Sequence, residues 1–363
     1  MAEFNEFIMN FVWPVTFITA AISILIFFTL IILRFFKDYA SAKRAIRKKE
    51  IRQQLLVHIA NPLKNLKKDI VNTENDMSII AEIAPDLLRV LKGTSYDDLL
   101  KSFEEIGFYD WILKKIKGRN KADKFKSISL IANWSNNQVK QELIALLNDK
   151  NILVQYTAIE ALAHTRDVSL FPKIIEILKK QKGFSTLLIC NVFQKFNSNI
   201  SKMLIEQIED KDIPIYIKIP AFMTLIKNGA PEQITKIAMS LYNHENNELR
   251  ALAYLGLSES RETVPKEILQ AGFKDDDWRV RQYVTRCAAH STPPPVEMLG
   301  HLLNDENWFV GFSSGKELYD LGSIGQKFLE TIANQKDGIA SHRAASILAE
   351  YNSKNYGGAY GMA

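Results

Sequence analysis

The sequence is poor in the residues that build disulfide frameworks and metal sites. It has two cysteines among 363 residues, Cys190 and Cys287, and each lies among apolar neighbours. Two cysteines exclude a disulfide-rich fold, and buried thiols are typical of proteins in a reducing compartment. The six histidines include no HExxH pair and no cysteine partner at zinc spacing. We therefore expect no metal site and no cofactor.

Motifs for catalysis are also missing. The chain has no GxxxxGK[ST] loop, and its terminal glycines Gly357, Gly358 and Gly361 follow no strand-like segment. Gly311 to Gly315 includes serines but lacks the strand-to-helix setting of a nucleophile elbow. The sequence therefore predicts no catalytic residue and no small-molecule substrate.

Charge is absent from one long segment near the start of the chain. The 27 residues from Phe7 to Leu33 carry no formal charge. About 20 apolar helical residues are enough to cross a hydrocarbon core roughly 30 Å thick. The pattern predicts a transmembrane helix over residues 11–36, preceded by an extracytoplasmic tip over residues 1–10.

A basic block follows this apolar segment directly. Residues 34–53 contain eight cationic and two anionic side chains, whereas Glu3 and Glu6 precede the apolar segment. Basic flanks remain on the cytoplasmic side, so we expect a single-pass inner-membrane protein with its N-terminus outside and its main body in the cytoplasm. The cations expected to contact lipid headgroups are Arg34, Lys37, Lys43, Arg44, Arg47, Lys48, Lys49 and Arg52.

Two other interpretations of the apolar segment fit the sequence less well. A cleaved signal peptide has a basic start and an apolar region of about 7 to 15 residues, whereas this start is acidic and the apolar region is longer. A buried core helix seldom has so long an uncharged stretch. The basic block also accounts for the net charge of +5, so the remaining body lacks the spread positive charge expected of a nucleic-acid binder.

Behind the basic block the chain predicts helices and an internal repeat. An acidic or amide turn, an apolar residue and a basic or amide residue recur at intervals of about 31 residues. The best copies place Val154, Leu249, Val280 and Val310 at the apolar position, and weaker copies place Phe125, Leu187, Ile217 and His342 there. Each copy predicts a helical hairpin that must stack on its neighbours to bury its apolar face.

These copies resemble HEAT repeats in the short bacterial form that is also seen in PBS-lyase-type HEAT-like proteins. The resemblance rests on the turn aspartate, then Val-Arg, then small residues, and it covers about residues 104–351. The motif is best kept at Val154-Gln155, Leu249-Arg250 and Val280-Arg281. The resemblance implies an all-α fold, a right-handed α-solenoid of about eight hairpins. The match departs from the motif at residues 186–190 and at Val310-Gly311.

The predicted order of segments follows from these patterns. A basic juxtamembrane helix and linker over residues 37–77 precedes N-terminal capping helices over 78–120, a repeat region over 121–351 and a flexible tail over 352–363. This layout is similar to that of bacterial single-span membrane-anchored HEAT-repeat proteins, a group whose members accompany envelope polysaccharide glycosyltransferases. The similarity implies a scaffold that binds a membrane-associated protein partner, with no nucleic-acid ligand.

Two kinds of site residue are predicted within the body. Trp278, Trp308, Arg250, Arg281 and Arg343 recur near turn positions, so we expect them to pack or bond between repeats. Trp111, Trp134 and Tyr283 are the candidates for partner contact, because aromatic residues dominate interfaces. The alternative function is a HEAT-like enzyme, either a chromophore lyase or a DNA-alkylation glycosylase, for which the sequence offers neither an acid-base pair nor a basic surface.

Overall fold

The structure is a computed structural model that describes residues 13–60, 70–134, 136–181, 183–196, 200–260, 262–335 and 338–357, with side chains to residue 352. Within these ranges the chain forms 19 α-helices and one short 3-10 helix, and no strand. Three predicted segments therefore fall wholly or partly outside the described residues: the tip over 1–10, the linker within 61–69 and the end of the tail after Gly357. The chain divides into two compact units, Met1–Leu146 and Leu147–Ala363.

The first unit contains six helices. Their bounds are α1 Trp13–Ala60, α2 Glu74–Val90, α3 Thr94–Glu105, α4 Phe108–Lys117, α5 Lys121–Ile131 and α6 Asn137–Leu146. Only the C-terminal part of α1 belongs to the packed core, because residues 13–43 are exposed whereas Ile51 and Leu55 are fully buried. These two side chains lie on the face of α1 that packs on α2 and α3, so α1 projects from the unit as a long free helix.

The helices of the first unit begin and end at identifiable turn residues. Thr73 caps α2 in a capping box with Asp76. Gly93, at φ +62°, precedes α3, so Ser95 lies within the first turn of that helix and is not the capping residue that its side chain would suggest. Gly107, at φ +78°, allows the tight connection between α3 and α4, and Phe103 then packs on Phe108 with ring centroids 5.0 Å apart.

The second unit is built from two layers of helices. The first layer contains α7 Ile152–His164, α9 Thr186–Lys195, α11 Ile215–Asn228, α13 Asn247–Ser260, α15 Trp278–Ala289, α17 Trp308–Asp320 and α19 Ile339–Gly357. The second layer contains α8 Phe171–Lys180, α10 Ser201–Glu209, α12 Pro231–Leu241, α14 Lys266–Phe273, α16 Val296–Leu302 and α18 Ser323–Ala333. Each first-layer helix packs on the next helix of that layer, which is the stacking expected of a helical repeat.

Most of the predicted apolar positions face the shared core of this unit. Val154, Ile217, Leu249, Val280 and Val310 are at most 2% exposed. Each follows its helix cap by three residues, and the first helical hydrogen bond, such as Arg281 N–H to Asp277 O at 3.2 Å, fixes that register. Stacked α-helical hairpins therefore describe this unit.

Three predicted positions are wrong. Phe125 lies in the first unit and is 44% exposed, Leu187 is 70% exposed, and His342 is also exposed. A uniform interval selects Leu187, but the cap at Ser185 puts Ile189 and Cys190 on the buried face instead. In α19 the buried positions are Ser341, Ala344 and Ile347. The helix α19 also continues to Gly357, through much of the segment predicted to be a flexible tail.

Candidate functional site

Two turns of identical design start α15 and α17. Asp275 Oδ1 accepts from the amide of Asp277, and Asp277 Oδ1 then accepts from the amide of Arg279, both at 2.9 Å. In the next repeat Asp305 and Asn307 make the same two bonds, at 2.8 and 2.9 Å. These bonds satisfy amides that a helix start leaves without partners. As a result Trp278 and Trp308 become the first residues of their helices.

Arginines connect these turns into a ladder. Arg250 makes two hydrogen bonds to the carboxylate of Asp275, at 2.8 and 2.9 Å, and Arg281 makes two to Asp305, at 2.7 and 2.9 Å. Each guanidinium also donates to carbonyls of its own turn, such as Arg281 to Asp275 O at 2.8 Å. Forked bonds of this kind join planar groups in a fixed geometry. The ladder therefore holds the starts of successive first-layer helices together.

Two carboxylates of these turns, Asp277 and Asp305, are held in their charged form. Burial acts to raise the pKa of Asp305, but hydrogen bonds from Arg281 and the amide of Asn307 outweigh it and leave that pKa below its ordinary value. A side-chain hydrogen bond from Arg279 lowers the pKa of Asp277, and the two groups lie 2.8 Å apart. Three arginines of these turns are thus neutralised by neighbouring aspartates.

Beside the ladder lies a cluster of aromatic rings, Trp278, Trp308, Phe309 and Phe312, which we call the aromatic edge. Trp308 stacks on Phe312 with centroids 4.9 Å apart and 16° between the planes, and Trp278 stacks on Phe309 at 5.7 Å. Phe309 also meets Trp308 edge-on at 5.3 Å. The rings connect the starts of α15 and α17, so they form one contiguous surface.

The aromatic edge is largely exposed to solvent. Trp308 is 55% exposed, Phe309 is 53% exposed and Trp278 is 37% exposed. The expectation that the two tryptophans pack between repeats agrees with Trp278, whose ring stacks on Phe309 of the next repeat, but not with Trp308, which stacks on Phe312 of its own helix. The first residues of a helix project outward from its N-terminal end, so both side chains lie at the rim of the stack, where the neighbouring repeat covers them only in part.

Carboxylates surround the aromatic edge. Asp276 and Glu306 each precede a tryptophan of the edge by two residues, both are exposed, and the Glu306 side chain is 91% exposed. The turn segments 243–250, 274–281 and 304–310 together hold seven carboxylates and four cationic side chains. This surface therefore combines apolar rings with an excess of negative charge.

The three aromatic residues predicted to contact a partner differ in their surroundings. Trp134 is 5% exposed and donates from Nε1 to Glu104 at 2.9 Å, so it is a core residue and not a partner contact. Trp111 is half-buried, stacks on Phe108 and has the ammonium of Lys115 5.1 Å from its ring centroid. Tyr283 is half-buried on α15, in the other unit.

The cations predicted to contact lipid fall into two groups. Arg47 pairs with Asp76 at 3.0 Å and Arg44 with Glu82 at 2.6 Å, so both guanidinium groups attach α1 to α2. Lys48 also lies 3.5 Å from Glu82. The remaining five are exposed on α1: Arg34, Lys37, Lys43, Lys49 and Arg52. The sequence pattern missed this division because the acidic partners lie some 30 residues further along the chain.

The described residues hold few groups with catalytic or metal-binding potential. These residues contain no cluster of three or more His, Cys, Asp or Glu side chains that could hold a metal ion. Both cysteines are buried, and burial raises the pKa of the Cys190 thiol and of the Cys287 thiol. Thiols in this state are poor nucleophiles at neutral pH, so the aromatic edge remains the outstanding surface feature of the second unit.

Sequence reasoning missed Phe309 and Phe312 as members of this feature. Both follow Trp308 within four residues, and that local density of aromatic residues at the start of a helix was the available signal. Their exposure depends on where the preceding turn places the first helical residue. That placement becomes visible only when the Asp305 and Asn307 bonds are known.

Comparison with known proteins finds likeness in structure and not in sequence. No family model matches the chain, and no curated protein sequence matches it.

The karyopherin Kap121p bound to Pho4p superposes with a TM-score of 0.44 at 12% identity, over 82% of this chain and 39% of that one. Kap121p bound to the extreme C-terminus of the phosphatase Cdc14p gives 0.43 at 12% identity, over 81% and 39%. An engineered protein gives 0.34 at 13% identity, over 84% of this chain and 95% of that one. The chain thus spans about two fifths of the length of the karyopherins that it matches.

Proposed function

We propose that this protein is a membrane-tethered helical-repeat scaffold that binds a protein partner without catalysing a reaction. The observation that supports this proposal most is the aromatic edge. Four aromatic side chains are assembled by two ordered turns, and three of them remain more than a third exposed. Contiguous apolar patches on a soluble surface usually mark binding sites, and aromatic residues dominate the energy of protein interfaces.

Order in the supporting turns favours binding over incidental exposure. The two-bond Arg281–Asp305 pair and the caps at Asp277 and Asn307 fix the backbone beneath the rings. A preorganised surface loses less conformational entropy when a partner binds. The ring pairs at 4.9 and 5.7 Å also restrain one another. We therefore infer that the aromatic edge is ready to bind without rearrangement.

The tether in this proposal is the N-terminal part of α1. Among the described helices, α1 is the one long and apolar enough to cross a membrane, and its apolar part is not buried within the protein. At 1.5 Å per residue, the stretch from Trp13 to Leu33 measures about 32 Å, which matches the hydrocarbon core. With basic residues following this stretch, the repeat region lies in the cytoplasm and the N-terminus outside.

We further propose that α1 holds the body away from the bilayer. Residues 34–43 are helical and exposed, and α1 first packs on other helices near Arg44. Ten residues of helix add about 15 Å beyond the hydrocarbon edge. Arg34 and Lys37 then lie among the headgroups, whereas Arg44 and Arg47 bind carboxylates of α2. Lipid quenchers attached at headgroup depth should quench a fluorophore at position 37 and leave one at Lys49 unquenched.

The partner that we propose is itself a membrane protein. The resemblance of the segment order to single-span bacterial HEAT proteins favours a glycosyltransferase of envelope polysaccharide synthesis, or its regulator, in the inner membrane. A tether confines both molecules to one surface and raises their effective concentration. A modest intrinsic affinity of the aromatic edge would then be sufficient.

Site-directed photocross-linking tests the proposal. A photoreactive phenylalanine analogue replaces Phe309 in the full chain in its native membrane, and a matched variant carries it at Leu187, which is 70% exposed outside the aromatic edge. We expect position 309 to give one protein adduct that position 187 does not give. The same set of adducts from both positions, or none from position 309, would refute partner binding at this edge.

A further inference from the structure

We infer that the partner presents a cationic segment, with Arg or Lys side chains interspersed with aliphatic ones, to the aromatic edge. This inference rests on the proposed function and specifies the chemistry of the partner. Three observations support it: the arginines near the edge are paired with aspartates, other carboxylates of the turns are exposed, and the exposed rings can bind cations.

Three of the four cations in the turns around the aromatic edge are already engaged, and the fourth, Lys274, is exposed. Arg250, Arg279 and Arg281 lie 2.7 to 2.8 Å from the carboxylates of Asp275, Asp277 and Asp305, respectively. The guanidinium–carboxylate bonds of Arg250 and Arg281 are forked, and the side chains of that pair of arginines are at most 18% exposed. To bind these guanidinium groups, an anionic partner would have to displace the aspartates from them, so acidic segments are poor ligands for the arginines.

The carboxylates that accept no hydrogen bond from these arginines are at exposed positions of the turns. Asp276 is exposed, and its carboxylate has no partner among the described residues. Glu306 approaches Arg281 at 3.7 Å, beyond hydrogen-bonding distance, and is 91% exposed. Glu245, in the turn before, is exposed as well. Each of the three consecutive turns therefore presents one carboxylate that can accept a hydrogen bond from a ligand.

The rings favour a cation with an apolar stem. Tryptophan binds Arg and Lys cations through the face of the indole ring, and Trp308 is 55% exposed. The aliphatic stems of these residues, and neighbouring aliphatic side chains, can pack on Phe309, which is 53% exposed. Asp276 and Glu306 each lie two residues before a tryptophan of the edge, so a segment that combines cationic and aliphatic groups matches both.

Peptide binding to the full chain in nanodiscs of zwitterionic lipid tests this inference. The probes are fluorescein-labelled peptides of the repeating tripeptide Arg-Leu-Ala, and of Glu-Leu-Ala at the same length, followed by fluorescence anisotropy. We expect the arginine peptide to bind and the glutamate peptide not to bind. Trp308→Ala should weaken binding about tenfold, the loss that a single well-placed cation–π contact can produce.

A charge exchange supplies the decisive comparison. The double variant Asp276→Lys with Glu306→Lys should lose the arginine peptide and gain the glutamate peptide. The control double variant, Glu267→Lys with Glu330→Lys, changes exposed carboxylates on α14 and α18 and should bind as the wild type does. Circular dichroism shows whether each variant is folded. The single variant Glu306→Gln provides a milder change, and we expect it to lose part of its affinity for the arginine peptide.

Each outcome has a defined meaning. Binding of the glutamate peptide by the wild type, equal loss in the control variant, or arginine-peptide binding that survives the charge exchange would overturn the inference. Failure of both peptides to bind would also overturn it. If photocross-linking at position 309 still captures one protein, the proposed function stands and only the cationic chemistry fails. If that cross-link is missing too, both fail.

Discussion

Arg343 passes directly over Gly311. From α19 its Nη1 donates to the carbonyl oxygens of Leu303 at 2.8 Å and Asp305 at 2.7 Å, in the turn before α17. A Cβ at position 311 would overlap the guanidinium. Gly311 occupies the position that Arg250 and Arg281 occupy in the preceding repeats. This repeat therefore has no arginine of its own at that position, and Arg343 of the next first-layer helix donates to the turn carbonyls instead.

Gly311→Ala should therefore destabilise the protein by about 1 to 3 kcal/mol through overpacking. Alanine is otherwise the better helix former by about 1 kcal/mol. In an Arg343→Ala background the same change should be neutral or stabilising. A double-mutant cycle in urea measures the difference. Equal destabilisation in both backgrounds would contradict the relationship between the two residues.

Arg281→Ala should destabilise by about 2 to 3 kcal/mol, because it leaves the nearly buried carboxylate of Asp305 without its charged donor. The matched control is Lys180→Ala, since Lys180 pairs with Glu176 at 2.8 Å with both side chains about two thirds exposed. Exposed pairs contribute at most about 1 kcal/mol. Similar losses for the two variants, measured by chemical denaturation, would show that the ladder is not a stabilising element.

Acidification should remove the contribution of the ladder. The pKa values of Asp277 and Asp305 lie below the ordinary 3.8 in the folded protein, so the unfolded chain binds protons first as the pH falls. Their stabilisation is present above about pH 4 and is lost as the pH falls through the folded values. The free energy of unfolding should decline from pH 5 to pH 3, and less steeply in Asp305→Asn. If the free energy of unfolding of Asp305→Asn changes with pH as steeply as that of the wild type, Asp305 does not contribute to this pH dependence.

Val280→Asp should destabilise the second unit by several kcal/mol, because Val280 is fully buried and the new carboxylate would have no partner. Leu187→Asp is the control, since the repeat pattern assigns Leu187 to the same position although it is 70% exposed. Its expected effect is under about 0.5 kcal/mol. Comparable shifts in melting temperature would contradict the register of α9.

The periodicity of the sequence was sufficient to predict an all-helical repeat and its strongest core positions. Val154, Leu249, Val280 and Val310 are buried where the pattern places an inward residue. Their signal is strong because an apolar residue at a fixed distance from a capping turn has one consistent environment. The weaker copies failed at α9 and α19, where a uniform interval selected the exposed Leu187 and His342 while the buried face begins at Ile189 and at Ser341.

The candidate site depended on information that the sequence pattern lacks. Trp278 and Trp308 are apolar residues in repeating positions, and that pattern alone favours burial. Their exposure follows from the turns capped by Asp275 and Asp277 and by Asp305 and Asn307, which make the two tryptophans the first residues of their helices. The pairing of Arg47 with Asp76 likewise depends on tertiary packing of α1 on α2. Surface roles of single residues are therefore harder to predict than core positions.

Native mass spectrometry of the complex extracted gently from its membrane tests the central claim most directly. The account predicts that the wild-type chain carries one additional protein, which is lost from the double variant Trp308→Ala with Phe309→Ala and retained in the exposed-residue control Leu187→Ala. A partner that remains bound to the double variant, or a wild-type chain that carries no protein at all, would contradict the account.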